Sequence, residues 1–394
     1  MIRQAALYLA AADDITAAHL TVVGRPVVFR AILAAVRAGA RRVGVPVALR
    51  TPALDAALAA SPLARSAVVW LDTPAALAAE PTLLLPATAL TPAPALSPLL
   101  AAPAGRVLAE SQPAGAPAAT VDPPLLARLG PSLVAGEPLG DALARELKAG
   151  DVTAVSGGRW FVRVTGARAA AEVEARLWRE LGSAIDSRLD TAVHRRCSKP
   201  LTRAALVLGI APNPITIASG VAGLTAAAAF AHGGVVSVAA GLVIYFVAVV
   251  IDHADGEVAR LTLTESVVGE WLDIATDTVV HTALVLALGV AAAHVTGQGL
   301  GAGVAAAVGV VASAVVGKRW PPVAPPATTP RGLLDALTSR DGFYAMLVLF
   351  LVLRVLAPAL LPVLMIVVAV GTHAYWLTRA ALWIRRGREA GTRP

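Results

Sequence analysis

The chain has 394 residues, 57% of them hydrophobic, and a formal net charge of +7. Its mean hydropathy of +0.70 is too high for a pair of ordinary soluble domains, so part of it belongs in lipid. The single cysteine, Cys197, excludes an intrachain disulfide and a thiolate metal cluster, and it reads as a small filler residue.

Residues 1–170 form the first block. The opening "MIRQAALYLAAADD" has a basic residue and a short apolar run, but Asp13 and Asp14 cut the run off, so it reads as a first strand rather than a signal peptide. Strand-like runs "AALYLAA", "RRVGVPV", "SAVVWLD" and "TLLLPA" alternate with the helical spacing of "RPVVFRAILAAVRAGA" and "PLGDALARELKAG". That alternation predicts a Rossmann-like α/β layer with a largely parallel sheet. The proline-rich piece from Thr91 to Pro124 reads as a surface loop with one strand inside it.

Residues 171–210 follow as a linker. "AAAEVEARLWRELGSAIDSRLDTAVHRR" combines apolar residues at helical spacing with many charges. Two readings stand side by side: a helix lying along a membrane surface, and a solvated linker helix.

Residues 211–394 hold apolar runs long enough to cross a bilayer. Six spans are predicted, at 214–231, 234–251, 269–293, 298–316, 343–360 and 361–382, making an all-α six-helix transmembrane bundle. The turns "AHGG", "AHVTGQGL" and "APALLP" lack lysine and arginine, although Arg354 lies toward the outer end of the fifth span. The clusters "HRRCSKPLTR", "GKRW" and "WIRRGREAGTR" flank the spans on the other side, so both termini are expected in the cytoplasm and the membrane is the inner one. Topology therefore accounts for the basic charge, and nucleic acid is not needed as a partner.

The second and third spans carry an unusual load of acid. Asp252, Asp255 and Ala259 share one helical face, and Gly269, Asp273 and Asp277 share another. Each acid near the bilayer centre costs roughly 2.5–3.5 kcal/mol, so four unpaired ones would cost on the order of 10 kcal/mol. Arg260 cannot neutralise four carboxylates, whereas Mg²⁺ or Mn²⁺ takes hard oxygen ligands, and two such ions can clamp a phosphoryl group. Gly256 and Gly269 allow a close approach, and Arg260 could meet a phosphate.

"DHADGEVARLTLTESVVGEWLDIATD" resembles, at eight fixed positions, the CDP-alcohol phosphotransferase signature D-x-x-D-G-x-x-A-R-x(8)-G-x-x-x-D-x-x-x-D. "PNPIT", from Pro212 to Thr216, is a further point of likeness, and the resemblance covers about residues 185–385. It implies that Asp252, Asp255 and Asp273 ligate metal, that Asp277 shares in ligation or serves as the base, and that Gly256, Ala259, Arg260 and Gly269 shape the CDP pocket. It implies two divalent cations, a CDP-alcohol donor such as CDP-diacylglycerol, a small alcohol or polyol-phosphate acceptor, release of CMP, contact with membrane lipid, and a homodimer.

Two rival readings of the acids fit less well. An ion or proton pathway needs neither the glycines nor Arg260 at these positions, and membrane prenyltransferases set their acidic motifs far apart, whereas 21 residues separate Asp252 from Asp273 here. Lys318, Arg319, Arg331 and Arg340 could bind an acceptor phosphate or could serve topology alone. His253 and His281 flank the acids and read as structural rather than ligating, and Glu257 and Glu265 read as facing water or headgroups.

The first block resembles the nucleotidyltransferase-like domain that some members of this family carry, on the strength of "VVGRPVVFRAILAAVRAGARRVGV". The catalytic parts differ: "LAAADDITAAHL" stands where a glycine-rich phosphate loop belongs, Lys148 is the one lysine before the linker, and "LLLPATALTP" lacks a metal-holding aspartate. The expectation is a degenerate domain that has lost nucleotidyl transfer. A head of this kind points toward inositol-phosphate acceptors. An alternative is a regulatory or scaffold protein whose soluble domain binds a ligand or partner.

Overall fold

The structure, a computed structural model, describes residues 2–101, 103–108, 116–150, 153–155, 161–182, 187, 189–319 and 340–391. The chain divides into two units, Met1–Leu181 and Gly182–Pro394.

The first unit is built on a seven-stranded sheet among the described residues. Its strands are β1 (Gln4–Tyr8), β2 (Arg42–Pro46), β3 (Val68–Leu71), β4 (Thr82–Pro86), β5 (Arg106–Leu108), β6 (Ala118–Val121) and β7 (Thr153–Ala154), in the order β7-β5-β6-β4-β1-β2-β3. β1 pairs parallel with β2 and β4, with Gln4 opposite Thr82 and Tyr8 opposite Pro86, while β6 runs antiparallel to both β4 and β5. Every residue of β1 is buried, as its unbroken apolar run requires of a strand covered on both faces. Gln4 is satisfied there by Ala78 and the Thr82 hydroxyl.

Helix α1 (Val27–Ala38) starts after Pro26 and stops at Gly39, where φ is +124°. The expected loop between Thr91 and Pro124 is not one: it contains α2 (Ala93–Ala101) and two strands, β5 and β6. Pro98 removes one helical hydrogen bond, but α2 buries Ala95, Leu96, Leu99 and Leu100, which outweighs that loss. Further helices are α3 (Pro123–Ala135), α4 (Gly140–Ala149) and α5 (Ala167–Arg179).

The second unit is helical: α6 (Arg195–Leu208), α7 (Pro212–Ala231), α8 (Val235–Thr262), α9 (Val267–Thr296), α10 (Leu300–Arg319), α11 (Arg340–Leu356) and α12 (Leu361–Gly391). Five segments among the described residues are long and apolar enough to cross a membrane: α7, α8, α9, α10 and Pro358–Arg385. The remaining predicted span, 343–360, ends sooner than expected. Among the described residues its helix covers 17 residues, about 26 Å at 1.5 Å per residue, and it stops at Leu356 because Ala357, the residue before Pro358, leaves the helical region at φ −152°, ψ 64°.

Phe230, Tyr245, Leu284, Leu288, Leu347, Phe350 and Met365 fill the core of this unit. α9 and α10 touch backbone to backbone, since a side chain at Gly289 would lie 2.7 Å from the Cα of Gly303. Arg354 is not stranded among apolar neighbours: its Nε donates to the Gly233 carbonyl at 2.7 Å, beyond the C-terminus of α7. Cys197 is exposed on α6 and fills no gap.

Candidate active site

The acidic signature is drawn together by a tight helix-to-helix turn. α8 ends at Leu263, which adopts a left-handed conformation at φ +60°, and the Ala259 carbonyl accepts the Thr264 N–H at 3.0 Å. That conformation costs a non-glycine residue about 1 kcal/mol. Ser266 then caps α9 by accepting the Gly269 N–H at 3.0 Å. The chain reverses within a few residues, so the last turns of α8 face the first turns of α9.

Carboxylate oxygens of Asp252, Asp255 and Asp273 consequently lie within 4.8 Å of one another. The Thr216 hydroxyl, from the "PNPIT" entry to α7, donates to the Asp255 carboxylate and fixes its orientation. Asp277 stands one turn along α9 from Asp273, and its side chain is 42% exposed against 13% for Asp252. Arg340 bridges these two, with Nη2 3.2 Å from Asp252 and 3.7 Å from Asp277.

The small residues leave room beside the acids. A Cβ at Gly256 would lie 3.2 Å from Nη1 of Arg260, so the guanidinium folds over the space that glycine leaves. At Gly269 a Cβ would meet Ser266 Oγ at 3.2 Å and Asn213 Oδ1 at 3.4 Å. Of the other basic candidates, Lys318 pairs with Glu270 and stacks on the Trp271 ring, and Arg319 is exposed at the end of α10. Arg340 lies in helix α11 rather than in a loop, and Arg331 lies outside the described residues.

Two polar clusters were missed by sequence reasoning. In the first, Asp190 Oδ1 lies 2.9 Å from His194 Nδ1, 2.8 Å from His253 Nε2 and 3.7 Å from Arg340 Nη1, while Oδ2 accepts the Ser187 N–H at 3.0 Å. Burial pushes the Asp190 carboxyl upward, but the hydrogen bonds from His194, His253 and Ser187, with Arg340 alongside, outweigh it and hold the group well below the usual carboxylate range. The signal was Asp190 and His194 one helical turn apart in a segment read only for amphipathicity.

The second cluster overturns the expectation that Glu257 faces water. Glu257 is fully buried and accepts from Arg195 at 3.0 Å, Ser198 at 2.8 Å and Thr202 at 2.6 Å, all on α6. The polar face of α6 turns inward onto this acid, while Val207 and Leu208 point outward. His281 is structural, with Nδ1 against the Asp277 carbonyl at 2.7 Å and Nε2 against the Tyr245 hydroxyl at 3.0 Å.

Three convergent carboxylates with a fourth within a turn make a hard-oxygen donor set of the kind that holds Mg²⁺ or Mn²⁺. The Asp190 cluster suits a cation less, since both imidazoles already meet the carboxylate oxygen and Arg340 Nη1 lies 3.2 Å from His253 Nε2.

Residues 209–374 match the family model for CDP-alcohol phosphatidyltransferase. This stretch runs from the turn before α7 into α12 and contains the whole acidic constellation. This part of the chain is thus similar to CDP-alcohol phosphatidyltransferase domains and lies on apolar helices, which suggests a membrane phosphotransferase, and that family uses divalent metal. No curated protein matches the chain.

Proposed function

We propose that the protein transfers a phosphatidyl or related phosphoalcohol group from a CDP-alcohol, such as CDP-diacylglycerol, to a small alcohol or polyol phosphate, releasing CMP. The observation that carries this reading is the meeting of Asp252, Asp255 and Asp273 within 4.8 Å beside the Gly256–Arg260 recess.

Asp252, Asp255 and Asp273 would hold Mg²⁺ or Mn²⁺, which supplies charge neutralisation for the diphosphate and its leaving CMP. Arg260, free of a side chain at Gly256, reaches a diphosphate oxygen, and Gly269 leaves the opposite wall open beside Asn213. Asp277, more open than Asp252, takes the proton of the acceptor hydroxyl. As that proton leaves, the acceptor oxygen bonds to the β-phosphorus and the bond from that phosphorus to the CMP oxygen breaks. The enzyme sits in the inner membrane as a homodimer, with both termini in the cytoplasm.

The test is CMP release from labelled CDP-diacylglycerol and Mg²⁺ across glycerol phosphate, inositol phosphate, inositol and serine. Asp273→Asn is expected to abolish release with every acceptor. An unaffected variant, or no release with any of the four, would sink the proposal.

For the α/β unit we infer a degenerate nucleotidyltransferase-like role without nucleotidyl transfer. Asp14 favours this reading: it is buried, accepts the Ala10 and Ala11 N–H groups at 2.7 and 3.3 Å, and pairs with Arg163 at 2.9 Å. The carboxylate takes the loop amides that a phosphate would need. Incubation with CTP, Mg²⁺ and sugar or polyol phosphates is expected to give no pyrophosphate, and rapid release overturns the assignment.

A further inference from the structure

Arg340 is claimed from two sides. Its Nη2 faces Asp252 at 3.2 Å and Asp277 at 3.7 Å, while Nη1 faces Asp190 at 3.7 Å and His253 Nε2 at 3.2 Å. His253 Nε2 cannot donate to Asp190 and accept from Arg340 at once. Donation to the carboxylate is the shorter of the two, at 2.8 Å against 3.2 Å, so on this side Asp190 is the group that attracts the guanidinium.

Asp190 is itself held in place. Its carboxylate is fixed by His194, His253 and the Ser187 amide, its own N–H donates to Ser187 Oγ at 3.0 Å, and His194 is locked between Tyr344 and Phe246, each 5.2 Å away between ring centres. Such a buried, multiply bonded carboxylate is a fixed negative charge, and nothing in the phosphotransfer chemistry requires it.

We propose that Asp190 is a positioning residue that competes with Asp252 and Asp277 for Arg340 and so sets how tightly the acids grip a divalent cation. Arg340 is the internal cation of the acid cluster. A metal ion entering there must draw Asp252 and Asp277 away from the guanidinium, and Asp190 supplies the anion that keeps Arg340 satisfied when they leave. Without Asp190, the guanidinium has the two acids as its only strong carboxylate partners among the contacts described, and it opposes the metal more strongly. This inference rests on reading the acids as the cation site.

The experiment uses the full chain in detergent and Mn²⁺ as the probe, with free Mn²⁺ followed by electron paramagnetic resonance. Asp190→Asn is expected to weaken Mn²⁺ binding about tenfold, equivalent to about 1.4 kcal/mol. Arg340→Gln is expected to tighten binding, and adding Asp190→Asn to Arg340→Gln should then change little.

A purely structural role for Asp190 lowers the melting temperature and leaves Mn²⁺ affinity unchanged, which overturns the proposal. An equal loss of affinity in the Arg340→Gln background also overturns it, because Asp190 would then act by its field alone. If Asp190→Asn does not fold, Arg340→Gln decides, and unchanged or weaker binding refutes the idea. A parent protein that binds no Mn²⁺ removes the cation reading of the acids, and this inference with it.

Discussion

Glu257→Ala tests whether α6 is pinned to α8 by one buried acid. The parent side chain is fully buried and pairs with Arg195, whose side chain is 7% exposed. Removing one partner of a buried ion pair costs about 3–5 kcal/mol because the other charge stays behind in a poor solvent. Ser198 and Thr202 can turn their hydroxyl protons to the Arg195 and Ser198 carbonyls and add little. Since all three donors lie on α6, the cost falls on the docking of that helix. Amide hydrogen exchange in α6 should accelerate by roughly 10² to 10⁴-fold, while α9 and α10 keep their protection. Arg195→Met combined with Glu257→Ala should recover most of the loss, since an apolar pair in place of a buried ion pair is often near neutral. Acceleration of less than about fivefold in the single variant, under 1 kcal/mol, would refute the reasoning.

Two further outcomes follow from the same geometry. Gly256→Ala places a methyl 3.2 Å from Nη1 and 3.4 Å from Nη2 of Arg260; the flexible guanidinium yields, so the protein should fold normally and, on the proposed reading, the KM for the CDP-alcohol should rise several-fold and kcat change less, as steady-state kinetics would show. His19 is pushed below its ordinary pKa by burial and has no hydrogen-bond partner on either ring nitrogen among the described residues. The unfolded chain therefore binds more protons as pH falls through about 6.5, so stability is lost on acidification; His19→Leu should flatten the drop in denaturation midpoint between pH 7.5 and 5.5.

Legibility followed the range of the interactions. The strands "AALYLAA", "RRVGVPV", "SAVVWLD" and "TLLLPA" all appear, because each is a short apolar run whose burial is decided locally. The acid constellation was readable because both helices and the turn between them fall within one stretch, Asp252 to Asp277. The partners of Glu257 lie 55 to 62 residues away and those of Asp190 extend to Arg340, so no local spacing pointed to either. In α2, prolines hid a helix whose signal was present: Ala95, Leu96, Leu99 and Leu100 recur at helical spacing. Proline density points to a loop only where no helical periodicity of apolar residues opposes it.

The charge around the acids explains why such a cluster is tolerated at all. Asp190, Asp252, Asp255, Asp273 and Asp277 carry five formal negative charges, and Arg260 and Arg340 return two of them, which leaves a deficit of three. On the proposed reading, one divalent cation reduces the deficit to about one charge, and a second turns it into an excess of about one positive charge, which favours the roughly two negative charges of a diphosphate. The second cation and the donor therefore assist each other's binding. Arg340 is what makes the resting state possible, and its second anchor at Asp190 lets it remain in the site when metal takes over the acids.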